Sequence, residues 1–86
     1  MEETKERHQR YLRAMNNPVR RTILRELKNG PATIEELKTK TNIDEKTLSW
    51  HLDILGWGYC VEKQIKNGHT IYLLTKEGSV VDYIDK

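Results

Sequence analysis

The sequence predicts one mainly α-helical domain that carries a single β-hairpin near its C-terminal end. Apolar residues recur at helical spacing from the N-terminus to about residue 56. After Gly58 the pattern changes to alternation, and Asn67-Gly68 separates two alternating runs. Asn-Gly favours the type I′ turn of a two-residue β-hairpin. The 86 residues are enough for one domain spanning 1–86.

Composition restricts the class of protein further. Hydrophobic residues make up 36% of the chain and charged residues 33%. No apolar run approaches the roughly 20 residues that span a bilayer, and the charged N-terminus lacks the apolar stretch of a secretory signal. A single cysteine, Cys60, cannot form an intrachain disulfide. We therefore expect a soluble cytoplasmic protein with no membrane partner.

Charge is distributed unevenly along the chain. The net charge is +2, but residues 1–30 hold eight basic side chains against four acidic ones. Residues 31–58 hold three lysines against five acids, and residues 59–86 are balanced. We expect the N-terminal third to contribute most of any positive surface.

Two helices are predicted at the start of the chain. The first covers about residues 3–15 and carries an apolar stripe at i, i+3, i+4 and i+7. Asn17 followed by Pro18 marks the start of the second, because Asn caps a helix and Pro fits its first position. The stripe of the first helix is His8, Tyr11, Leu12 and Met15, and that of the second is Val19, Ile23, Leu24 and Leu27, with Arg20, Arg21, Arg25 and Lys28 around it.

A helix-turn-helix is predicted over about residues 33–56. Thr33 with Glu36 three residues later forms a capping-box pattern that opens a short helix. A tight turn follows, and Asp44 is suited to cap the next helix through the backbone near Thr47. That second helix buries Leu48, Leu52 and Leu55 and is predicted to end at Gly56.

The hairpin is predicted over about residues 59–74, and a last helix over about 76–84. Thr75 caps this helix, which carries Val80, Val81 and Ile84 on its apolar side. Two helices, a helix-turn-helix, a hairpin and a terminal helix, in that order, form a winged helix-turn-helix.

Three local motifs sharpen this prediction. The run Asn17–Leu24 resembles the N-P-x-R-x-x-I-L opening of arsenic-repressor-type (ArsR-like) regulators. The run Ser49–Leu55 resembles their S-x-H-L-x-x-L recognition helix, and Tyr72 to Gly78 resembles the Y-x-L-T-x-x-G that follows the wing turn. The resemblance covers about residues 17–78 and implies a DNA-binding transcriptional regulator.

Two features depart from that family pattern. Members that sense soft metals carry Cys-x-Cys in the first helix of the helix-turn-helix, where this chain has Thr33 and Glu35. Because a hydroxyl and a carboxylate do not replace thiolates, we expect no metal site, no cofactor and no soft-metal effector. The family usually places Gly just before the first wing strand, whereas this chain has Tyr59 there.

Candidate DNA contacts lie on the recognition helix and on the wing. A helix fits the major groove and presents donors from its N-terminal half to base edges. The wing residues are suited to phosphates or to the minor groove. The candidates are Lys46, Thr47, Ser49, Trp50 and His51 on the helix, and Lys63, Lys66, Asn67, Gly68 and His69 on the wing.

Two of these candidates have competing interpretations. Trp50 faces outward, so it is suited equally to base or sugar contact and to packing against the wing or a protein partner. His51 lies between Leu48 and Leu55, which favours a half-buried structural role over DNA contact. Catalysis is not expected, because Ser49 and His51 point to different faces of the helix and do not form a nucleophile–base pair.

The sequence therefore predicts a DNA-binding transcriptional regulator that acts as a homodimer on double-stranded DNA. Both terminal helices carry apolar stripes that a core this small does not fully cover, and the resembling family pairs through its terminal helices. A winged helix used as a protein-interaction module is the alternative, favoured by the acidic middle segment and by Trp50. The predicted dimerisation residues are Tyr11, Leu12, Met15, Val80, Val81 and Ile84.

Overall fold

The computed structural model describes the backbone of residues 2–80 and the side chains of residues 5–79. The predicted order of elements is confirmed over this range, and only the first part of the predicted last helix falls inside it. The elements are α1 (Glu2–Met15), α2 (Pro18–Leu27), α3 (Ile34–Thr41), α4 (Glu45–Trp57), β1 (Val61–Lys66), β2 (His69–Leu74) and a 3-10 turn at Gly78–Val80.

Side-chain caps fix where the helices begin. The Asn17 side chain accepts a hydrogen bond from the Arg20 amide at 3.0 Å. Thr33 accepts from the Glu36 amide at 3.2 Å, while the Glu36 carboxylate accepts from the Thr33 amide at 2.9 Å. These bonds satisfy amide groups that have no partner inside their own helix. The predicted starts of α2 and α3 follow from this local chemistry.

The recognition helix α4 lies at the centre of the fold. It packs against α1, α3 and β1. Its inward leucines are between 0% and 2% exposed, as the spacing predicts. Burial of one such side chain stabilises the fold by about 1.5–3 kcal/mol. The core is completed by Ala14, Met15, Ile23, Leu24, Leu27, Ala32, Leu37, Cys60, Val61 and Tyr72.

Two details of the helices differ from the prediction. Val19, predicted in the buried stripe of α2, is 37% exposed, and Arg20 is only 9% exposed in its stead. In addition, α4 continues past Gly56 to Trp57, and Gly58 is its C-terminal cap. The rotation of α2 brings a guanidinium into the interior, where it requires hydrogen-bond partners.

The wing is a two-stranded antiparallel hairpin. Lys66 pairs with His69 across the turn. Asn67 and Gly68 adopt φ values of 53° and 79°, as a type I′ turn requires. Ala32 extends the sheet with an isolated bridge to Tyr72, whose two backbone hydrogen bonds measure 3.0 and 2.8 Å. This bridge ties the wing to the start of the helix-turn-helix, and local sequence patterns do not predict it.

Tyr59 occupies the position where the resembling family usually has glycine, and its backbone conformation is one that glycine favours. Its φ is +66°, in the left-handed region that glycine adopts without strain. The Thr75 hydroxyl donates to the Tyr59 carbonyl at 2.7 Å. On the other side, the guanidinium of Arg7 lies 3.9 Å from the centre of the Tyr59 ring, and Arg10 donates to its hydroxyl at 3.1 Å. These contacts hold the strained residue in place.

Gly58, at the end of α4, packs closely against α1. A Cβ added there would lie 2.4 Å from the Ala14 Cβ and 2.8 Å from the Arg10 carbonyl oxygen. We expect Gly58→Ala to lower the free energy of unfolding by about 1–3 kcal/mol, because backbone atoms must move to accommodate the methyl group. Urea denaturation measures this change.

Gly56→Ala is the matched control for this substitution. A Cβ at Gly56 meets no atom within 4 Å, and the residue lies inside α4. Because alanine is the better helix former, we expect this variant to be more stable than the parent by up to about 1 kcal/mol. Equal effects of the two substitutions would contradict the proposed close packing.

Candidate nucleic-acid interface

The outward face of α4 carries one row of exposed side chains. Lys46, Trp50, Asp53 and Trp57 follow one another at helical spacing, opposite the buried leucines. Ser49 lies beside this row and is partly exposed. The face therefore presents a cation, a hydroxyl, an indole and a carboxylate along one side of the helix.

The N-terminal turn of α4 is held by Asp44. Its carboxylate accepts from the Thr47 amide at 3.1 Å and from the Thr47 hydroxyl at 2.7 Å. These hydrogen bonds lower the pKa of Asp44, so the group stays ionised at neutral pH. The predicted contact residue Thr47 is exposed, but its hydroxyl proton already has an acceptor. Lys46 forms no ion pair with any carboxylate among the residues that the structure describes.

All five predicted wing residues are exposed. Lys63 lies opposite Tyr72 in the hairpin, and Lys66 lies opposite His69 at its end. Asn67 and Gly68 form the turn between the strands. Within residues 5–79, neither Lys63 nor Lys66 has a carboxylate within ion-pair distance. The wing thus offers two ammonium groups and an imidazole to solvent.

His51, one of the candidate DNA contacts, lies in the interior, as its place between Leu48 and Leu55 favours. Its side chain is only 6% exposed, and its Nδ1 lies 3.3 Å from Nη1 of Arg20. Burial, followed by the nearby Arg20 charge, lowers the pKa of His51. The neutral imidazole thus faces the guanidinium with its Nδ1 lone pair as the acceptor. The interior position and the contact with Arg20 give His51 a structural role.

Four arginines of the N-terminal third contact other parts of the chain. Arg20 donates to the carbonyls of Ala14 at 2.7 Å and Arg13 at 3.2 Å, and Arg21 donates to that of Met15 at 3.0 Å. Both guanidinium groups therefore satisfy the last carbonyls of α1. Arg7 forms a 2.8 Å ion pair with Glu77, and Arg10 lies over the rings of Trp57 and Tyr59. Much of this charge has partners within the chain.

The predicted dimerisation residues have different environments. Leu12 is 48% exposed and Tyr11 is half-buried, whereas Met15 is 2% exposed and belongs to the core of the monomer. Leu12 and Met15 line a shallow, largely apolar cavity of about 410 Å³ together with Arg13, Asn16 and Arg21. The side chain of Val80, and all of Val81 and Ile84, lie outside the described residues.

Thr33, Glu35 and Cys60 are the residues that bear on metal and thiol chemistry. Thr33 is engaged in the capping box, and Glu35 lies 3.9 Å from Lys38. Cys60 is fully buried, and burial raises the pKa of its thiol to about 11. Within the described residues, no three His, Cys, Asp or Glu side chains come together as a metal site. No helix in the same part of the chain is long and apolar enough to span a membrane.

A family model described as a helix-turn-helix domain matches residues 15–55. Similar solved structures extend over nearly the whole chain. HlyU from Vibrio cholerae is 24% identical with a TM-score of 0.80, and the match covers 98% of this chain and 94% of that one. The transcriptional repressor BigR from Xylella fastidiosa is 27% identical with a TM-score of 0.77, covering 98% and 88%.

A third similar structure comes from Mycobacterium bovis. It is the homodimeric winged helix-turn-helix DNA-binding domain of Mb0332, a possible ArsR-family transcriptional regulator, at 24% identity and a TM-score of 0.85. The match covers 95% of this chain and 78% of that one. No curated protein matches this chain by sequence. The comparisons thus confirm the winged helix-turn-helix fold that the sequence predicts.

The buried His51 predicts a dependence of stability on pH. Because its pKa is lower in the folded chain than in the unfolded chain, only the unfolded chain takes up the proton as pH first falls below about 6.5. We expect the free energy of unfolding to fall between pH 7 and pH 5, and His51→Gln to reduce this fall. Urea denaturation at several pH values measures it.

His69→Gln is the control for this prediction, because the His69 side chain is exposed at the wing turn. This variant is expected to keep the pH dependence of the parent protein. If His51→Gln and His69→Gln show the same slope as the parent protein between pH 7 and pH 5, His51 does not cause the dependence.

Proposed function

Because this chain is a winged helix-turn-helix domain with the fold of ArsR-family regulators, we propose that it is a transcriptional regulator that binds double-stranded DNA sequence-specifically. The observation that supports this most is the exposed outward face of α4 beside an exposed, basic wing turn. In this proposal the chain acts by binding, has no catalytic role and works in the cytoplasm.

The outward face of α4 and the wing are proposed to contact different parts of the DNA. The N-terminal half of α4 enters the major groove, where Lys46 donates to guanine O6 or N7 and Ser49 contacts a neighbouring base. Lys63, Lys66 and His69 of the wing contact phosphates or the adjacent minor groove. The ionised Asp44 and the exposed Asp53 repel phosphates and so lower the affinity for DNA of any sequence. Only DNA that also makes the base contacts is then bound tightly.

We further propose that the chain acts as a homodimer. Leu12 is a large apolar side chain that is 48% exposed on α1, next to the shallow apolar cavity at the α1–α2 junction. Mb0332, which has the same fold, is described as homodimeric. A two-fold axis places the two recognition helices about one DNA turn, roughly 34 Å, apart, and the site is then an imperfect palindrome.

A protein-interaction module remains the second candidate function. It is favoured by Trp50, which is 60% exposed in the middle of the outward face of α4. Indole rings of this kind often anchor protein interfaces. Loss of a protein partner on substitution of Trp50, with DNA affinity unchanged, distinguishes this function from DNA binding.

Salt dependence tests the wing as part of the DNA interface. Each Lys–phosphate contact changes the slope of log K against log salt concentration by about 0.9. We expect the double variant Lys63→Ala, Lys66→Ala to show a slope shallower by up to about 1.8 than the parent chain, with unchanged sequence preference. Fluorescence anisotropy of labelled duplexes at several salt concentrations measures this.

The matched control removes two lysines elsewhere. Lys5→Ala with Lys76→Ala changes the net charge equally, and neither residue belongs to α4 or to the wing hairpin. This control is expected to keep nearly the full slope. Equal slopes for the wing variant and the control would remove the wing from the proposed interface.

Substitution of Leu12 tests the dimer. We expect Leu12→Asp to convert the dimer to a monomer, because a charge replaces an exposed apolar contact. It should weaken binding to a full palindromic site far more than to a half-site. Ile65→Asp makes the same change at a wing residue that is 79% exposed, and it should remain dimeric. Sedimentation showing the parent chain as a monomer at tens of micromolar, with tight binding to a half-site, would contradict the dimer.

A further inference from the structure

Trp50 is the more exposed of the two tryptophans on the outward face of α4. It is 60% exposed, and it is flanked by Lys46 one turn before and Asp53 one turn after. The inward face of α4 holds Leu48, Leu52 and Leu55, so the core of the described domain does not use this indole. An exposed indole offers a ligand a large apolar surface and one N–H donor.

The Trp50 ring contacts the buried His51, which in turn is hydrogen-bonded to Arg20. The rings of Trp50 and His51 meet edge to face, with centroids 4.9 Å apart. His51 in turn faces Arg20, whose Nε donates to the Ala14 carbonyl at 2.7 Å. Because these contacts restrict the ring before any ligand arrives, less side-chain entropy is lost on binding.

The neighbouring groups indicate what kind of surface Trp50 meets. It is the more exposed of the two indoles in the outward row, and it has Lys46 and Asp53 on either side. The other indole, Trp57, is already contacted by the Arg10 guanidinium at 4.9 Å. Protein-binding hot spots are instead surrounded by further contacts that exclude water. A row of separated donor, apolar and acceptor groups matches the edges of successive base pairs in the major groove.

The thymine 5-methyl group is the apolar feature of that groove. Resting on the DNA-binding function proposed above, we propose that Trp50 is a specificity-determining residue that covers the 5-methyl group of one thymine in each half-site. Lys46 and Asp53 contact the base pairs on either side, where a cation suits guanine and a carboxylate suits the amino group of cytosine.

Methyl-deleted DNA tests this directly. The probe is a duplex enriched by the parent chain from a random pool, in which deoxyuridine replaces thymidine at one position at a time. Deoxyuridine keeps the base pair and its hydrogen-bonding groups and removes only the methyl group. We expect one position per half-site at which affinity falls about fourfold for the lost methyl, as its burial predicts.

Variants assign that effect to Trp50. Trp50→Gln should bind the thymine and deoxyuridine duplexes equally, while Trp50→Phe should keep part of the difference. The matched control is Trp57→Gln, on the same face of α4, where the ring is 40% exposed and lies under the Arg10 guanidinium at 4.9 Å. This control should retain the full sensitivity to the methyl group. Thermal unfolding of each variant verifies that it is folded.

The outcomes separate this inference from the function on which it rests. If the parent chain enriches no sequence from the pool, the DNA-binding function fails. If it enriches a sequence but tolerates deoxyuridine at every position, or if Trp50→Gln keeps the sensitivity, the thymine-methyl contact is wrong while DNA binding stands. Unchanged affinity of Trp50→Gln for all duplexes would also overturn it and would favour a protein partner for the indole.

Discussion

The buried guanidinium of Arg20 connects the C-terminal end of α1 with the middle of α4. Arg20 donates to the Ala14 and Arg13 carbonyls at the end of α1 and faces Nδ1 of His51 in the middle of α4. A positive charge at a helix C-terminus interacts favourably with the helix dipole, and charge-assisted bonds are stronger than neutral ones. The planar fork of an arginine reaches several acceptors at once, which a lysine does not. Arg20 therefore joins the C-terminal end of α1 to the middle of α4 through hydrogen bonds.

This arrangement links the two surfaces of the proposed function. Leu12, on the face of α1 proposed to meet a second copy, lies within one turn of the carbonyls that Arg20 binds. Trp50, proposed to meet DNA, rests on the His51 ring that Arg20 faces. In the proposed dimer, the spacing of the two recognition helices depends on how α1 is held against α4, and the Arg20 hydrogen bonds contribute to that contact.

Features that depend on residues close in sequence could be predicted, whereas features that depend on long-range packing could not. The Thr33–Glu36 box and the Asn67-Gly68 turn depend on residues close in sequence, and both occur as expected. On α2, the pattern allowed either Val19 or Arg20 to face inward, because the neighbouring leucines fit both rotations. Contacts of Arg20 with the end of α1 and with His51 decide this, and His51 is 31 residues away in sequence. The bridge between Ala32 and Tyr72 of the wing is also non-local. The exposed candidate contacts on α4 and the wing could therefore be predicted from the sequence, whereas the Arg20–His51 contact could not.

The most direct measurement is selection of bound duplexes from a random-sequence pool by the full chain, at a salt concentration near the physiological value. Sequence-specific recognition by two connected copies predicts an enriched imperfect palindrome whose half-sites are centred about one helical turn, 10–10.5 base pairs, apart. Affinity for that duplex should exceed affinity for unselected DNA by about a thousandfold or more. Recovery of a pool with no shared sequence, with equal affinity for all duplexes, would contradict the account.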